Sequence, residues 1–152
     1  MTSAIVIALL VIGTAASGAV FKPGTWYRSL NKPDWTPPDW AFPVVWTILY
    51  VMIGVSGWLI WQAQGFGLIY IIWLIQLACN AAWSWLFFGR RRMDLAFVDI
   101  CVMIVLILAY IGLAMPVSLA ASLLFIPYAV WVILAALLNR AVWRLNSDTA
   151  SI

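Results

Sequence analysis

Residues 94–114 read DLAFVDICVMIVLILAYIGLA, an apolar run in which Asp99 is the one charge beyond the first residue. A helix needs ~20 apolar residues to cross the ~30 Å hydrocarbon core of a bilayer. Similar runs fill most of the 152-residue chain, which is 66% hydrophobic and 9% charged with a mean hydropathy of +1.07. Soluble domains are about 45–50% apolar and about 25% charged. We therefore predict an all-α membrane protein, a bundle of five transmembrane helices forming one domain over residues 1–152.

Breaks between the apolar runs set the expected helix boundaries. Lys22-Pro23-Gly24 ends the first run, an arginine triplet at 90–92 ends the third, and Met115-Pro116 ends the fourth. Proline lacks a backbone donor, and glycine tolerates the turn after a helix. Long apolar runs without alternation must close their hydrogen bonds as helices. The predicted spans are about 4–21, 41–63, 67–88, 94–114 and 118–145, with a polar loop 1 at 22–40.

Basic residues fall on one side of a five-span topology. They are Lys22, Arg28, Lys32, Arg90, Arg91, Arg92, Arg140 and Arg144. The positive-inside rule then predicts cytoplasmic loops 1 and 3, a cytoplasmic C-terminus and an outside N-terminus. The eight basic residues cluster beside apolar spans. This pattern is more typical of charges that orient a protein in a membrane than of a surface that binds nucleic acid.

Several kinds of chemistry are excluded because the chain has no histidine and no glutamate. His-ligated haem, Cys/His metal sites and Ser/His or Cys/His catalysis are therefore excluded, and we expect no metal and no cofactor. Cys79 and Cys101 fall in separate predicted spans, so no disulfide is expected. Asp94 suits a helix N-terminus. Asp99 is either functional, as intramembrane carboxylates often are, or it snorkels or pairs with an arginine of loop 3.

The chain holds 11 tryptophans, an unusual number. Trp58, Trp61 and Trp143 fit an aromatic belt at the membrane interfaces. Trp26, Trp35 and Trp40 alternate with prolines in loop 1. A stiff, aromatic loop of this kind is interpreted either as a lid or as part of the belt.

Three predicted helices carry aromatic and polar residues at helical spacing. The stripes are Phe42, Trp46 and Tyr50 in the second span, Gln76, Asn80, Trp83 and Phe87 in the third, and Pro127, Trp131, Ala135 and Asn139 in the fifth. They indicate either helix packing joined by polar side chains or a pocket beneath loop 1. Such a pocket suits a tetrapyrrole or a sterol-sized lipid, with Asn80 fixing its orientation and Lys22, Arg28 and Lys32 meeting its carboxylates.

Five segments resemble the TspO/MBR family, the tryptophan-rich sensory proteins that include the mitochondrial translocator protein. They are FKPGTWY at 21–27, LNKPDWTPP at 30–38, FPVVWTILY at 42–50, NAAWSWLFFG at 80–89, and PYAVW at 127–131 with the Leu-Asn pair at 138–139. The resemblance covers nearly the whole chain, and its ordered motifs are specific.

The resemblance implies a five-helix bundle that binds porphyrins, sterols and benzodiazepine-type ligands under a loop 1 lid. By motif, the expected ligand-binding residues are Tyr27, Trp35, Trp46, Tyr50, Asn80, Trp83, Phe87, Tyr128, Trp131, Ala135 and Asn139. Trp46 and Trp131 would be catalytic only if the protein degrades porphyrin. Family members are commonly dimeric, and Ala78 and Ala82 form a small-xxx-small pair that permits close helix contact.

One departure concerns sterols. The family's sterol motif requires a tyrosine where this chain has Trp143, and the motif is weak even when complete. Our principal hypothesis is a receptor or sensor in a bacterial cytoplasmic membrane that binds tetrapyrroles such as protoporphyrin IX, as a ligand and not a cofactor. Further expected partners are membrane lipids, a second copy of the chain and sterols. The alternatives are a light-dependent porphyrin-degrading enzyme and a transporter of tetrapyrroles or lipids.

Overall fold

The computed structural model describes residues 2–147, which contain five helical spans long and apolar enough to cross a membrane. The elements are α1 (Thr2–Val20), α2 (Thr25–Ser29), α3 (Ala41–Gln64), α4 (Leu68–Ser84), α5 (Met93–Ala114), α6 (Leu119–Leu124) and α7 (Ile126–Asn146). A π-helical turn, Trp85–Gly89, extends α4, and α6 and α7 together form the fifth span. The predicted all-α membrane architecture is confirmed. Consecutive spans cross in opposite directions. Loop 1, the loop after α4 and the end of α7 therefore lie on one face, here called the loop 1 face.

The spans form a ring that is packed at one end and hollow at the other. Within it, α1 packs on α3 and α4, α4 on α5, α5 on α7, and α3 on both α6 and α7. In the half far from loop 1, fully buried side chains such as Ile53, Trp73, Ile107, Tyr110 and Phe125 fill the centre. In the half below loop 1, the side chains leave a space.

The fifth span, predicted as one helix at about 118–145, consists of two consecutive helices. Helix α6 ends at Leu124, and α7 begins at Ile126 after a turn at Phe125. Pro127 is thereby placed in the first turn of α7, where its missing N–H leaves no hydrogen bond unmade. Phe125 keeps helical backbone angles (φ −86°, ψ −12°), so α6 and α7 continue as one span with an interrupted hydrogen-bond ladder beside Pro127.

The end of α4 also departs from a regular helix. The Arg90 N–H donates to the Trp85 carbonyl at 2.8 Å, a separation of five residues. This wider turn is typical of π-helix, which is frequent at functional sites. It lies at the level of the hollow half, and both Phe87 and Phe88 contribute to the wall of that space.

The outer face of α4 carries the predicted dimerisation pair. Ala78 is exposed and Ala82 is half-buried, on the same side as exposed Ile71 and Ile75. The pair is thus placed where a second copy could reach it, and dimerisation stays a prediction. Both cysteines are free, as expected.

Candidate functional site: a cavity beneath loop 1

The hollow half of the bundle is a cavity of about 620 Å³ bounded by loop 1 and by helices α1, α3, α4, α5 and α7. Its volume lies within the ~300–1,000 Å³ typical of small-molecule sites. Nine of the eleven residues expected from sequence line it: Tyr27, Trp46, Tyr50, Asn80, Trp83, Phe87, Trp131, Ala135 and Asn139. The three predicted stripes therefore converge below loop 1.

Two of the expected ligand-binding residues do not line the cavity. Trp35 is 50% exposed, in a turn closed by the Thr36 N–H donating to the Pro33 carbonyl. Its indole belongs to the outer surface of loop 1, whereas Tyr27 of the same loop lines the cavity. Tyr128 is fully buried behind the wall, where its hydroxyl holds Asn80.

A chain of hydrogen bonds fixes the floor of the cavity. The Tyr50 hydroxyl donates to Asn80 Oδ1 at 2.8 Å, and Asn80 Nδ2 donates to the Tyr128 hydroxyl at 2.9 Å. The Tyr128 hydroxyl in turn donates to Gln76 Oε1 at 2.8 Å. Buried polar groups are costly unless paired, and here each satisfies the next. Asn80 is therefore rigidly oriented, with part of its hydrogen-bonding capacity already used inside the protein.

Asn139 has a similar bracing role at the other side of the cavity. Its Oδ1 accepts from Trp83 Nε1 at 3.1 Å, and its Nδ2 donates to the Met93 carbonyl at 2.9 Å. One amide thus joins α4, the start of α5 and α7. The Trp83 indole is held in place and stacks on Phe87, with ring centroids 5.1 Å apart and an interplanar angle of 24°.

Aromatic rings from separate helices form the walls. Phe42 of α3 meets Trp131 of α7 edge to face at 5.7 Å, and Trp46 lies 5.4 Å from Tyr50. Together with the Trp83–Phe87 stack of α4, these rings line the cavity from three separate helices. Planar rings pack well against such surfaces, in offset or edge-to-face arrangements.

Two buried side-chain nitrogen or oxygen atoms in residues 2–147 have no hydrogen-bond partner, Trp131 Nε1 and Asp99 Oδ2. The expectation that Asp99 pairs with an arginine of loop 3 is wrong. Arg92 instead forms a two-point ion pair with Asp94, with Arg92 Nε 2.9 Å from Asp94 Oδ1. That pair also raises the pKa of Arg92, since the neighbouring carboxylate stabilises the guanidinium charge.

The three loop 1 cations have separate positions. Lys22 lines the cavity, whereas the Lys32 ammonium lies 4.6 Å from the centre of the Tyr27 ring and donates weakly to the Leu30 carbonyl. Arg28 is exposed outside the lining. Lys22 is therefore the loop 1 cation placed to meet a ligand carboxylate. Burial, and secondarily the charge of Asp39, raises the pKa of Tyr27, so its phenol stays neutral at physiological pH.

Helices α1 and α5 contribute lining residues that sequence reasoning missed. Ala15, Gly18 and Ala19 come from α1, and Ile100 and Met103 come from α5. The small residues between positions 13 and 19 were the available signal, because small side chains on a span permit close approach or leave space. Ile100 and Met103 have no distinguishing pattern within an almost wholly apolar run.

Fold and cavity together define a class: an α-helical membrane protein of five spans with an aromatic internal cavity beneath its first loop. The chain matches the TspO/MBR family over residues 4–144, and it belongs to that family.

Similar proteins come from bacteria and animals. "Protein CrtK" of Rhodobacter capsulatus is 38% identical over 135 residues, which are 86% of this chain and 84% of the relative. The "Tryptophan-rich sensory protein" of Cereibacter sphaeroides is also 38% identical, over 87% of this chain and 84% of its own length. "Translocator protein" of Ovis aries is 38% identical over 83% of this chain and 78% of its own. The family and these names support a membrane sensor or receptor.

Proposed function

We propose that this protein is a membrane receptor that binds a tetrapyrrole such as protoporphyrin IX in the cavity beneath loop 1. The single observation that carries the proposal is that aromatic rings from α3, α4 and α7 line one cavity of about 620 Å³. Several of the polar groups around it, including Asn80 and Asn139, are bonded to the protein itself. The remaining surface is thus mainly apolar.

The part of the cavity next to Lys22 supports an amphiphilic ligand. Lys22 supplies a cation for a carboxylate, while the interior accepts an apolar ring system. A sterol or a benzodiazepine-type ligand matches the apolar interior but makes less use of the charge. We also propose that the protein lies in a bacterial cytoplasmic membrane, and the positive-inside rule favours a cytoplasmic loop 1 face.

A fluorescence titration tests the proposed ligand. Protoporphyrin IX is expected to quench tryptophan emission of the purified protein, and Trp131→Ala is expected to weaken binding by about tenfold, which is about 1.4 kcal/mol. Asn80→Ala should weaken it as well, because Tyr50 and Tyr128 lose their shared partner. Trp58→Ala, at an exposed position outside the lining, is the matched control and should bind normally. Unchanged affinity in both cavity variants would reject the site.

A second candidate function, light-dependent porphyrin degradation, is favoured by one observation. Trp46 and Trp131, the pair implied for that chemistry, line the same cavity. Illuminating the complex with and without dioxygen tests it. A new absorbing product that requires Trp46 and Trp131 supports degradation, whereas an unchanged porphyrin spectrum leaves binding alone.

A further inference from the structure

The cavity has an opening on one side of the bundle. Six described residues of its lining are exposed: Ala19, Lys22, Pro23, Asp39, Pro43 and Thr47. All lie at the end of α1, at the start of α3, or in the chain beside those two ends. These six residues, here called the mouth, therefore lie between α1 and α3, under the two ends of loop 1.

The mouth extends from the level of loop 1 into the membrane-spanning part of the protein. Lys22 and Asp39 lie outside the spans, whereas Ala19, Pro43 and Thr47 lie within them. The Thr47 hydroxyl donates to the Pro43 carbonyl at 2.7 Å, so this inner part has its hydroxyl satisfied. The mouth thus has a charged outer end and an apolar inner end, which is the profile of an amphiphile at a membrane interface.

Small residues on α1 keep the mouth open. Ala19 contributes a single methyl group to the α1 edge of the mouth, and Gly18 beside it faces α4, where an added Cβ would lie 3.9 Å from Ser84 Oγ. On the other edge, the first turns of α3 present Pro43 and Thr47. A bulky side chain at Ala19 would therefore narrow the passage without entering the floor of the cavity.

Loop 1, by contrast, is tied down over the water-facing side. The Asn31 N–H donates to Asn146 Oδ1 at 3.0 Å, and Asn146 Nδ2 donates to the Asn31 carbonyl at 2.9 Å. Tyr27 packs against Phe88 with ring centroids 5.5 Å apart. Access through loop 1 requires these contacts to break, whereas access through the mouth does not.

We infer that planar amphiphiles reach the cavity sideways from the bilayer, passing between α1 and α3 with their polar group beside Lys22 and Asp39. The inference rests on the proposed function of the cavity. It adds that the ligand is drawn from the membrane phase and that mouth residues control how fast it exchanges.

The test uses full-length protein in phosphatidylcholine vesicles loaded with protoporphyrin IX, with tryptophan quenching followed over time. Ala19→Phe is expected to slow both association and dissociation by about tenfold, because a narrowed passage is crossed in both directions. The ratio of the two rates should change far less than either. Thr47→Phe, on the opposite edge, should do the same. Ala16→Phe, exposed on α1 but outside the lining, is the matched control.

Asn146→Ala distinguishes access through loop 1 from access through the mouth, because it removes the side-chain hydrogen bonds that join Asn146 to Asn31. Sideways access predicts wild-type rates in Asn146→Ala. Faster exchange in that variant, together with wild-type rates in Ala19→Phe and Thr47→Phe, would overturn the inference and assign access to loop 1. If the wild-type protein shows no quenching at all, the proposed function itself fails, which is a distinct result.

Discussion

Truncating Tyr128 to alanine is expected to lower the free energy of unfolding by about 3–5 kcal/mol, as for other large-to-small changes in packed interiors. Tyr128 is fully buried, and it packs edge to face on Phe125 at 5.4 Å and on Trp46 at 6.3 Å. Its loss leaves a cavity and removes the partner of both Asn80 and Gln76. Equilibrium unfolding of the purified protein in mixed detergent micelles measures the effect.

Tyr128→Phe isolates the hydroxyl from the ring. It keeps the packing but leaves Asn80 Nδ2 and Gln76 Oε1 without this partner, which is expected to cost about 1–3 kcal/mol. Ligand affinity should fall too, since Asn80 loses one of the two contacts that orient it. Wild-type unfolding of Tyr128→Phe would show that the hydrogen-bond chain contributes nothing to the fold.

Gly57→Ala is expected to destabilise the packed half of the bundle by about 1–3 kcal/mol through overpacking, or to shift α4 relative to α3. A Cβ at Gly57 would lie 2.6 Å from Trp73 Cζ2, inside any allowed contact. The Trp73 ring has little freedom to move, because its Nε1 donates to the Ile53 carbonyl at 3.0 Å and it stacks on Tyr70 at 5.2 Å.

Gly112→Ala is the matched control for that substitution. A Cβ at Gly112 meets no atom within 4 Å, so the added methyl group is expected to leave stability near the wild-type value. Thermal unfolding of the two variants in the same detergent makes the comparison. Equal melting temperatures would contradict the close packing of α3 on Trp73.

The spans were predictable from sequence because their length and apolarity are dictated by the bilayer itself. Their irregularities were not, because these depend on neighbours distant in sequence. Helix α2 lies within what was expected to be a simple loop, and its Tyr27 packs against Phe87 and Phe88 of the π turn. Neither the short helix nor the π turn has a local pattern that distinguishes it from an ordinary loop or helix end.

The predicted stripes differ in how fully they face the interior of the bundle, and the reason is geometric. Steps of four residues drift by about 40° each around a helix of 3.6 residues per turn, whereas mixed steps of four and three stay on one face. The stripe on α4, from Gln76 to Phe87, mixes its steps and faces inward throughout. The stripe on α7 uses steps of four, so Pro127 is exposed while Asn139 is buried. Tyr128 and Val132 occupy the inward face near its start.

The sequence predicted which polar residues face the interior but not which of them form hydrogen bonds with each other. Gln76 and Asn80 were expected to face inward because amides are costly against lipid, and they do. Their common partner, the Tyr128 hydroxyl, lies 48 residues from Asn80 along the chain, and sequence spacing contains no information about such a pairing.

The most direct test of the account is the affinity of protoporphyrin IX for Ala135→Trp, compared with that for Leu137→Trp. Ala135 lines the cavity on α7, whereas Leu137 is exposed on the outer side of the same helix. An indole at Ala135 would fill part of the cavity, so the affinity for protoporphyrin IX should fall by at least about tenfold. Leu137→Trp should bind as the wild type does. Equal affinity in both variants and the wild type would show that the ligand binds elsewhere.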